Sequence, residues 1–192
     1  MRLFLVLTFG LLLSVGPALA QPSLQDRVDT AASGDTIVVD GGTHEGPFVI
    51  SRPLVLVGTG RSHLKGDATT HVVTIAANDV TIQGFRITDS GKQLSDDHAG
   101  IMVKGHRATI RDNHLSNVLH GVYVKGTNRT VIVGNRIEGP PTVPRRLTPE
   151  EAQQYDDCSV PPAGGTCEVP LATAQQGNGI HLWNARHSTI TH

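Results

Sequence analysis

The sequence predicts an all-β chain wound as a right-handed parallel β-helix, a single-stranded solenoid with a short helix capping its N-terminal end. Three observations carry this. Segments of one pattern recur: residues 100–105 with 108–115, then 121–126 with 130–137, then 179–184 with 188–192. Within each, apolar residues alternate strictly, which puts Ile101 and Val103 inside and Met102 and Lys104 outside. Gly or Asn separates the short strands, as left-handed turn conformations require. Ile110 and Ile132 are 22 residues apart. A unit of that length with three short strands has no way to bury its apolar side alone, and stacking such units in parallel makes one continuous core. A leucine-rich repeat has a similar period but needs a dense Leu pattern that is missing. A sandwich does not explain why the matching segments stay in register.

The elements follow in order. Met1-Arg2, an apolar run over 3–15 and Ala-Leu-Ala at 18–20 form a charged, apolar and small-residue sequence. That is the pattern of a signal peptide cleaved before Gln21, and it predicts a periplasmic protein. The apolar run is short for a membrane span of about 20 residues, and an uncleaved anchor is the alternative. Residues 21–192 then form one β-helix domain. Leu24, Val28 and Ala31 have helical spacing, and Ser23 with Asp26 resembles a capping pair. This helix is expected to shield the open edge of the first coil, which begins near Gly34. Val80-Thr-Ile-Gln-Gly-Phe-Arg-Ile87 matches the second half of the unit, and Leu54-Val-Leu-Val-Gly58 is a weaker relative. Asn113 and Asn135 share one repeat position, held by Phe85 one unit earlier. Stacked at a turn, their amides form a structural ladder serving turn backbone groups.

The pattern breaks at about 139–176, an insertion holding seven of the 11 prolines and both cysteines. Residues 148–155 have a good helix start, with Pro149 at the first helical position. In an exported protein Cys158 and Cys167 are expected to pair as a disulfide; a two-thiolate metal site is the alternative. At 190–192 the chain stops where the repeat predicts an Asn next, so further coils are expected in a longer protein.

Composition excludes several function classes. Lys and Arg number 16 against 17 Asp and Glu, a formal charge of −1, which argues against binding nucleic acid by phosphate neutralisation. The 38% hydrophobic content is too high for a disordered chain, and the 21 glycines show no three-residue period.

The outward positions carry the chemistry. Met102, Tyr123 and His181 share one position of the first strand, and Lys104, Lys125 and Trp183 share the next. In register they form two ladders on one sheet face, with rungs about 4.8 Å apart. Exposed Met, Tyr and Trp favour a partner-binding face. Trp and Tyr also suit sugar stacking, two lysines suit an acidic polymer, and Met and His are copper ligands. The alternative is an outer surface with no site. Among ten histidines no strong ligand spacing occurs, but His98, beside Asp96-Asp97, together with His120 and His181, forms the candidate metal set. Catalysis is weakly signalled. Asp96 and Asp97 suit Ca²⁺, and Lys104 or Lys125 suits a base in polyuronate elimination. No clustered acids recur along the strand face, and no catalytic residue is assigned.

Several stretches occur in a telling order. They are Ala-Ser-Gly-Asp-Thr-Ile-Val-Val-Asp-Gly-Gly at 32–42, Pro-Leu-Val-Leu-Val-Gly at 53–58, Val-Thr-Ile-Gln-Gly-Phe at 80–85, Asp-His-Ala-Gly-Ile at 97–101, and Gly-Asn-Gly-Ile-His-Leu-Trp-Asn at 177–184. Together they resemble the NosD family of periplasmic accessory proteins for nitrous oxide reductase maturation, and the last stretch is the most specific. The resemblance runs from about Leu24 to the end, apart from the insertion. It implies a pectin-lyase-like β-helix with a non-enzymatic role in assembling a copper–sulfur centre. It further implies an ABC-type ATPase and permease, a copper chaperone and the reductase as partners, with copper in transit as the candidate metal. His44 stands where the family pattern has an aromatic residue, and the cysteine-bearing insertion is longer than expected. Three classes remain: a copper-enzyme maturation accessory, a carbohydrate-binding or polyuronate-degrading β-helix, and a non-catalytic surface repeat protein.

Overall fold

In the computed structural model the described residues are 22–138 and 179–191. The leader at 1–20, the insertion at 139–176, its expected helix at 148–155 and the pair Cys158 and Cys167 lie outside them.

The chain opens with α1 (Leu24–Thr30), started by a reciprocal capping box. Asp26 N–H donates to Ser23 Oγ at 3.1 Å, and Ser23 N–H donates to Asp26 Oδ2 at 3.0 Å. Leu24 and Val28 turn inward and are buried. The helix also closes the first coil with polar side chains. The Gln25 amide donates to Val49 O and accepts from Val49 N–H, both at 3.0 Å, so one amide takes the place of a neighbouring strand. Arg27 Nη2 donates to Val38 O at 2.7 Å. Edge groups that would otherwise offer themselves to another chain are thereby satisfied.

Five coils follow. The first has β1 (Thr36–Asp40), β2 (Thr43–Glu45) and β3 (Phe48–Ile50); the second β4 (Val55–Thr59), β5 (His63–Lys65) and β6 (Val73–Ile75). The third has β7 (Thr81–Gln83), β8 (Arg86–Thr88) and β9 (Ala99–Val103); the fourth β10 (Thr109–Arg111), β11 (His114–Ser116) and β12 (His120–Lys125). The fifth has β13 (Val131–Val133), β14 (Arg136–Ile137) and β15 (Ile180–Trp183), and β16 (Thr189–Thr191) begins a further turn. Corresponding strands pair in parallel. They make sheet A (β1-β4-β7-β10-β13-β16), sheet B (β2-β5-β8-β11-β14) and sheet C (β3-β6-β9-β12-β15). This is a parallel β-helix.

The register explains the core. Ile37, Leu56, Ile82, Ile110, Ile132 and Ile190 stack in one inward row of sheet A, so the 22-residue step from Ile110 to Ile132 is one full coil. Longer coils keep the same register by widening the connections at 66–72 and 89–98. In sheet B the inward row runs His44, Leu64, Ile87, Leu115, Ile137. His44 thus takes the first rung of an otherwise aliphatic row, half-buried, with Nε2 3.1 Å from Gly41 O. Leu182 and Ile190 have inward register but are 42% and 47% exposed, because among the described residues they have a stacked neighbour on one side only.

The turn from sheet A to sheet B repeats one solution. Its first residue has positive φ: Gly84 at 78°, Asp112 at 54° and Gly134 at 63°. The next residue is Phe85, Asn113 or Asn135. Asn113 Oδ1 accepts from Phe85 N–H at 3.0 Å, and Asn135 Oδ1 accepts from Asn113 N–H at 3.0 Å. Their Nδ2 groups donate to Ile82 O at 3.1 Å and Ile110 O at 2.8 Å. Each amide joins its own turn to the coil before it. Among the described residues no helix is long and apolar enough to cross a membrane.

Candidate functional site

The outer face of sheet C gathers the side chains singled out in the sequence. Thr74, Met102, Tyr123 and His181 are strand partners in that order, and Lys125 pairs with Trp183. Lys104 follows Val103, which pairs with Val124, so it stands one rung from Lys125. The two ladders exist in register.

Their exposure departs from expectation. Met102 is 2% and Tyr123 4% exposed, so the face does not display a thioether and a phenol to solvent. The expectation treated outward from the barrel as exposed. In the fold, the connection 89–98, with a 3-10 turn at Leu94–Asp96, roofs part of this face, where Asp97 meets Lys125. Asp97 and His98 come from that roof. Asp97 Oδ2 accepts from Lys125 Nζ at 3.1 Å, and its carboxylate faces the Tyr123 hydroxyl. The His98 ring meets the His71 ring edge-on at 5.8 Å, and Gln93 N–H donates to His98 Nδ1 at 3.3 Å. Gly91 is fixed as glycine, since a Cβ there would collide with the His98 ring.

Under the roof the rings pack tightly. Tyr123 and His181 stack with centroids 4.5 Å apart and planes 9° apart. His120 meets Tyr123 edge-on at 5.2 Å and His181 at 5.6 Å. Lys125 Nζ lies 6.0 Å from the Tyr123 centroid, at the outer reach of a cation–π contact. At the rim Lys104, Lys125 and Trp183 are exposed, Trp183 by 55%.

Electrostatics follow burial. Loss of solvent lowers the pKa of His71 to about 4, helped by like charge on His98 and Lys104; Ala99 N–H donates to its Nδ1 at 3.1 Å. His120 is lowered by burial and then by His181. Burial and the adjacent Asp97 carboxylate push Tyr123 above the ordinary phenol. Burial also opposes the charge on Asp97, but hydrogen bonds from Lys125 and Tyr123 outweigh it and hold the carboxyl below its usual range. At neutral pH the His71, His120 and Tyr123 rings of this face are therefore uncharged.

The candidate metal set does not assemble. Among the described residues no three His, Cys, Asp or Glu side chains could hold a metal ion together. His120 and His181 adjoin, whereas His98 sits against His71. The sequence reading missed His71 and the roof contacts. His71 was legible only through pairing, because the register of Val73 with Ile101 brings it beside Ala99.

Residues 27–148 match the family described as a protein of unknown function (DUF1565). The chain belongs to this family. The DUF1565 segment begins within α1, takes in the first four coils and β13 and β14 of the fifth, and so includes the sheet C face up to Lys125. No curated protein matches the chain. A solved structure similar to it is the alginate lyase from Paenibacillus sp. str. FPU-7, at 22% identity and a TM-score of 0.51. The likeness covers 59% of this chain and 41% of the lyase. It concerns the fold alone, which in this DUF1565 member is a parallel β-helix.

Proposed function

We propose that the rim of sheet C binds an acidic polysaccharide without transforming it. The observation that carries this is the pairing of exposed Trp183 with Lys125, with Lys104 one rung further on. An indole offers an apolar platform for the face of a sugar ring. Ammonium groups a rung away, about 4.8 Å, suit the carboxylate such a ring carries. Asp97 orients Lys125 from behind. Tyr123, His120 and His181 act as a rigid support for the rim. The reading is binding rather than elimination because His120 and Tyr123, the groups with chemistry for proton transfer, lie under the roof at 5% and 4% exposure.

Trp183 is the single tryptophan of the chain, so its fluorescence reports this rim alone. Titration with oligogalacturonate is expected to shift the Trp183 emission saturably, and Lys125→Gln should weaken binding about tenfold, the scale of one charge-assisted contact. No emission change at any concentration would remove the proposal. Accumulation of unsaturated product, read by its ultraviolet absorbance, would replace binding with elimination.

The NosD resemblance supports a second reading: an exported accessory protein for assembling the copper–sulfur centre of nitrous oxide reductase, working with an ABC-type transporter and a copper chaperone. It rests on the stretch 177–184, whose His181 and Trp183 lie on this same face. Deleting the gene and assaying copper and sulfide in the host's reductase tests it. A fully loaded, active reductase would sink it.

A further inference from the structure

Sheet B carries a second outward ladder that neither the sequence reading nor the family assigns. Thr43, His63, Arg86, His114 and Arg136 are successive strand partners across all five coils. Beside them, at the turn from sheet A, runs a groove of about 800 Å³ lined by these side chains, Arg61 and the turn glycines. It follows the coil axis. Five rungs at about 4.8 Å make it about 19 Å long, so its shape suits an extended chain rather than a compact ligand.

Its charge is partly uncompensated. Arg136 Nε donates to Glu138 Oε1 at 2.5 Å, and His114 Nε2 lies 3.4 Å from Glu138 Oε2. Asp112 is held by Arg111 at 2.9 Å. Arg61 and Arg86 are exposed, and among the described residues neither guanidinium has a hydrogen-bond or ion-pair partner. His63 lies between them in the groove wall. Its Nε2 is tied to Thr88 Oγ1 at 2.8 Å; burial, then Arg86, hold its pKa below the ordinary value. A neutral imidazole flanked by two unpaired guanidiniums is a surface built to meet anions. Guanidinium favours flat oxyanions through paired hydrogen bonds. The one Phe, Tyr or Trp of the groove, Phe85, is buried at 1% exposure, so the groove lacks the large exposed stacking platforms used by single-stranded nucleic acids.

We propose that this groove binds a linear anionic glycan laid along the coil axis, its carboxylate or sulfate groups meeting Arg86 and Arg61. The site is separate from the sheet C rim and does not depend on its ligand. The test uses the full chain and isothermal titration calorimetry with carboxylated oligogalacturonates and sulfated dextran oligosaccharides, from mono- to hexasaccharide. In Trp183→Ala, which removes the aromatic platform of the other face, affinity should rise with oligomer length and fall with salt. Adding Arg61→Gln and Arg86→Gln should then weaken binding about tenfold or more. Both arginines are exposed, so circular dichroism and the melting temperature should not move. Preference for one oligosaccharide series identifies carboxylate or sulfate as the anion. Three results would overturn the proposal: unchanged affinity in the arginine variants, a monosaccharide binding as tightly as the hexasaccharide, or a single-stranded oligonucleotide of equal charge binding more tightly. Loss of all binding in Trp183→Ala alone would also overturn it while leaving the sheet C reading intact.

Discussion

Sheets B and C belong to the same coils, have the same rung spacing and show the same alternation, yet their outer faces differ in kind. On sheet C the central positions are closed: Tyr123 is 4% exposed and β9 is buried along its whole length. On sheet B the corresponding positions are open, with Arg86 and Arg136 in solvent. The difference lies in what crosses each face. The connection 89–98 reaches over part of sheet C, where Asp97 meets Lys125 and His98 meets His71. The turn from sheet A to sheet B is too short to cover anything, and Asn113 and Asn135 consume its polar groups internally. A repeat therefore dictates which side chains stack, while its irregular connections decide which stacks become interior.

The comparison can be broken most strongly by truncation on each face. Tyr123→Ala should destabilise the fold by about 3–5 kcal/mol, the range for a buried aromatic. Arg86→Ala should stay within about 0.5 kcal/mol, as surface changes do. Urea denaturation of both variants checks this; equal losses would mean that the roof does not distinguish the faces. Next in size is the turn from sheet A to sheet B, which borders the open face. Asn113→Ala leaves Phe85 N–H and Ile82 O without their amide partner, and should cost about 1–3 kcal/mol. Hydrogen exchange at Phe85 should rise in step, and an unchanged exchange rate would argue against the amide ladder.

The smallest effect sharpens the electrostatic contrast. His71 has a folded pKa of about 4 against an ordinary 6.5. Between those values the unfolded chain binds the proton and the folded one does not. Its contribution to stability is then complete above about pH 6.5 and is lost as pH falls toward 4. In His71→Gln, which retains an acceptor for Ala99 N–H, the decline of melting temperature over that window should be shallower than in the wild type. An identical acid limb would place the sensitivity elsewhere, for instance at His120, which burial shifts in the same direction.

Much of this was legible in the chain. The in–out alternation at 101–104, the Asn positions and the capping pair Ser23 and Asp26 are local patterns, and local patterns survive into the fold. The pairing of Met102 with Tyr123 and His181 was readable because a repeat aligns with itself. The sheet B row was equally available: Arg86, His114 and Arg136 each follow Phe85, Asn113 and Asn135 directly, and aligning the residue after each turn would have found them. The burial of Met102 and Tyr123 was not readable, because alternation tells inward from outward positions but not which outward side chains are covered. The edge-on contact of His98 with His71 escaped the repeat pattern as well, since neither residue lies on a repeated position.

The sequence by itself determined the coil, its register and the identity of every stacked row, since a period and a strict alternation leave a parallel stack few ways to bury its apolar side. Only the tertiary structure decided which row is covered and which is open, which histidines meet and which carboxylate holds Lys125. Those outcomes depend on the path of a connection through space, and that path is set by packing between residues far apart in the chain rather than by any pattern within it.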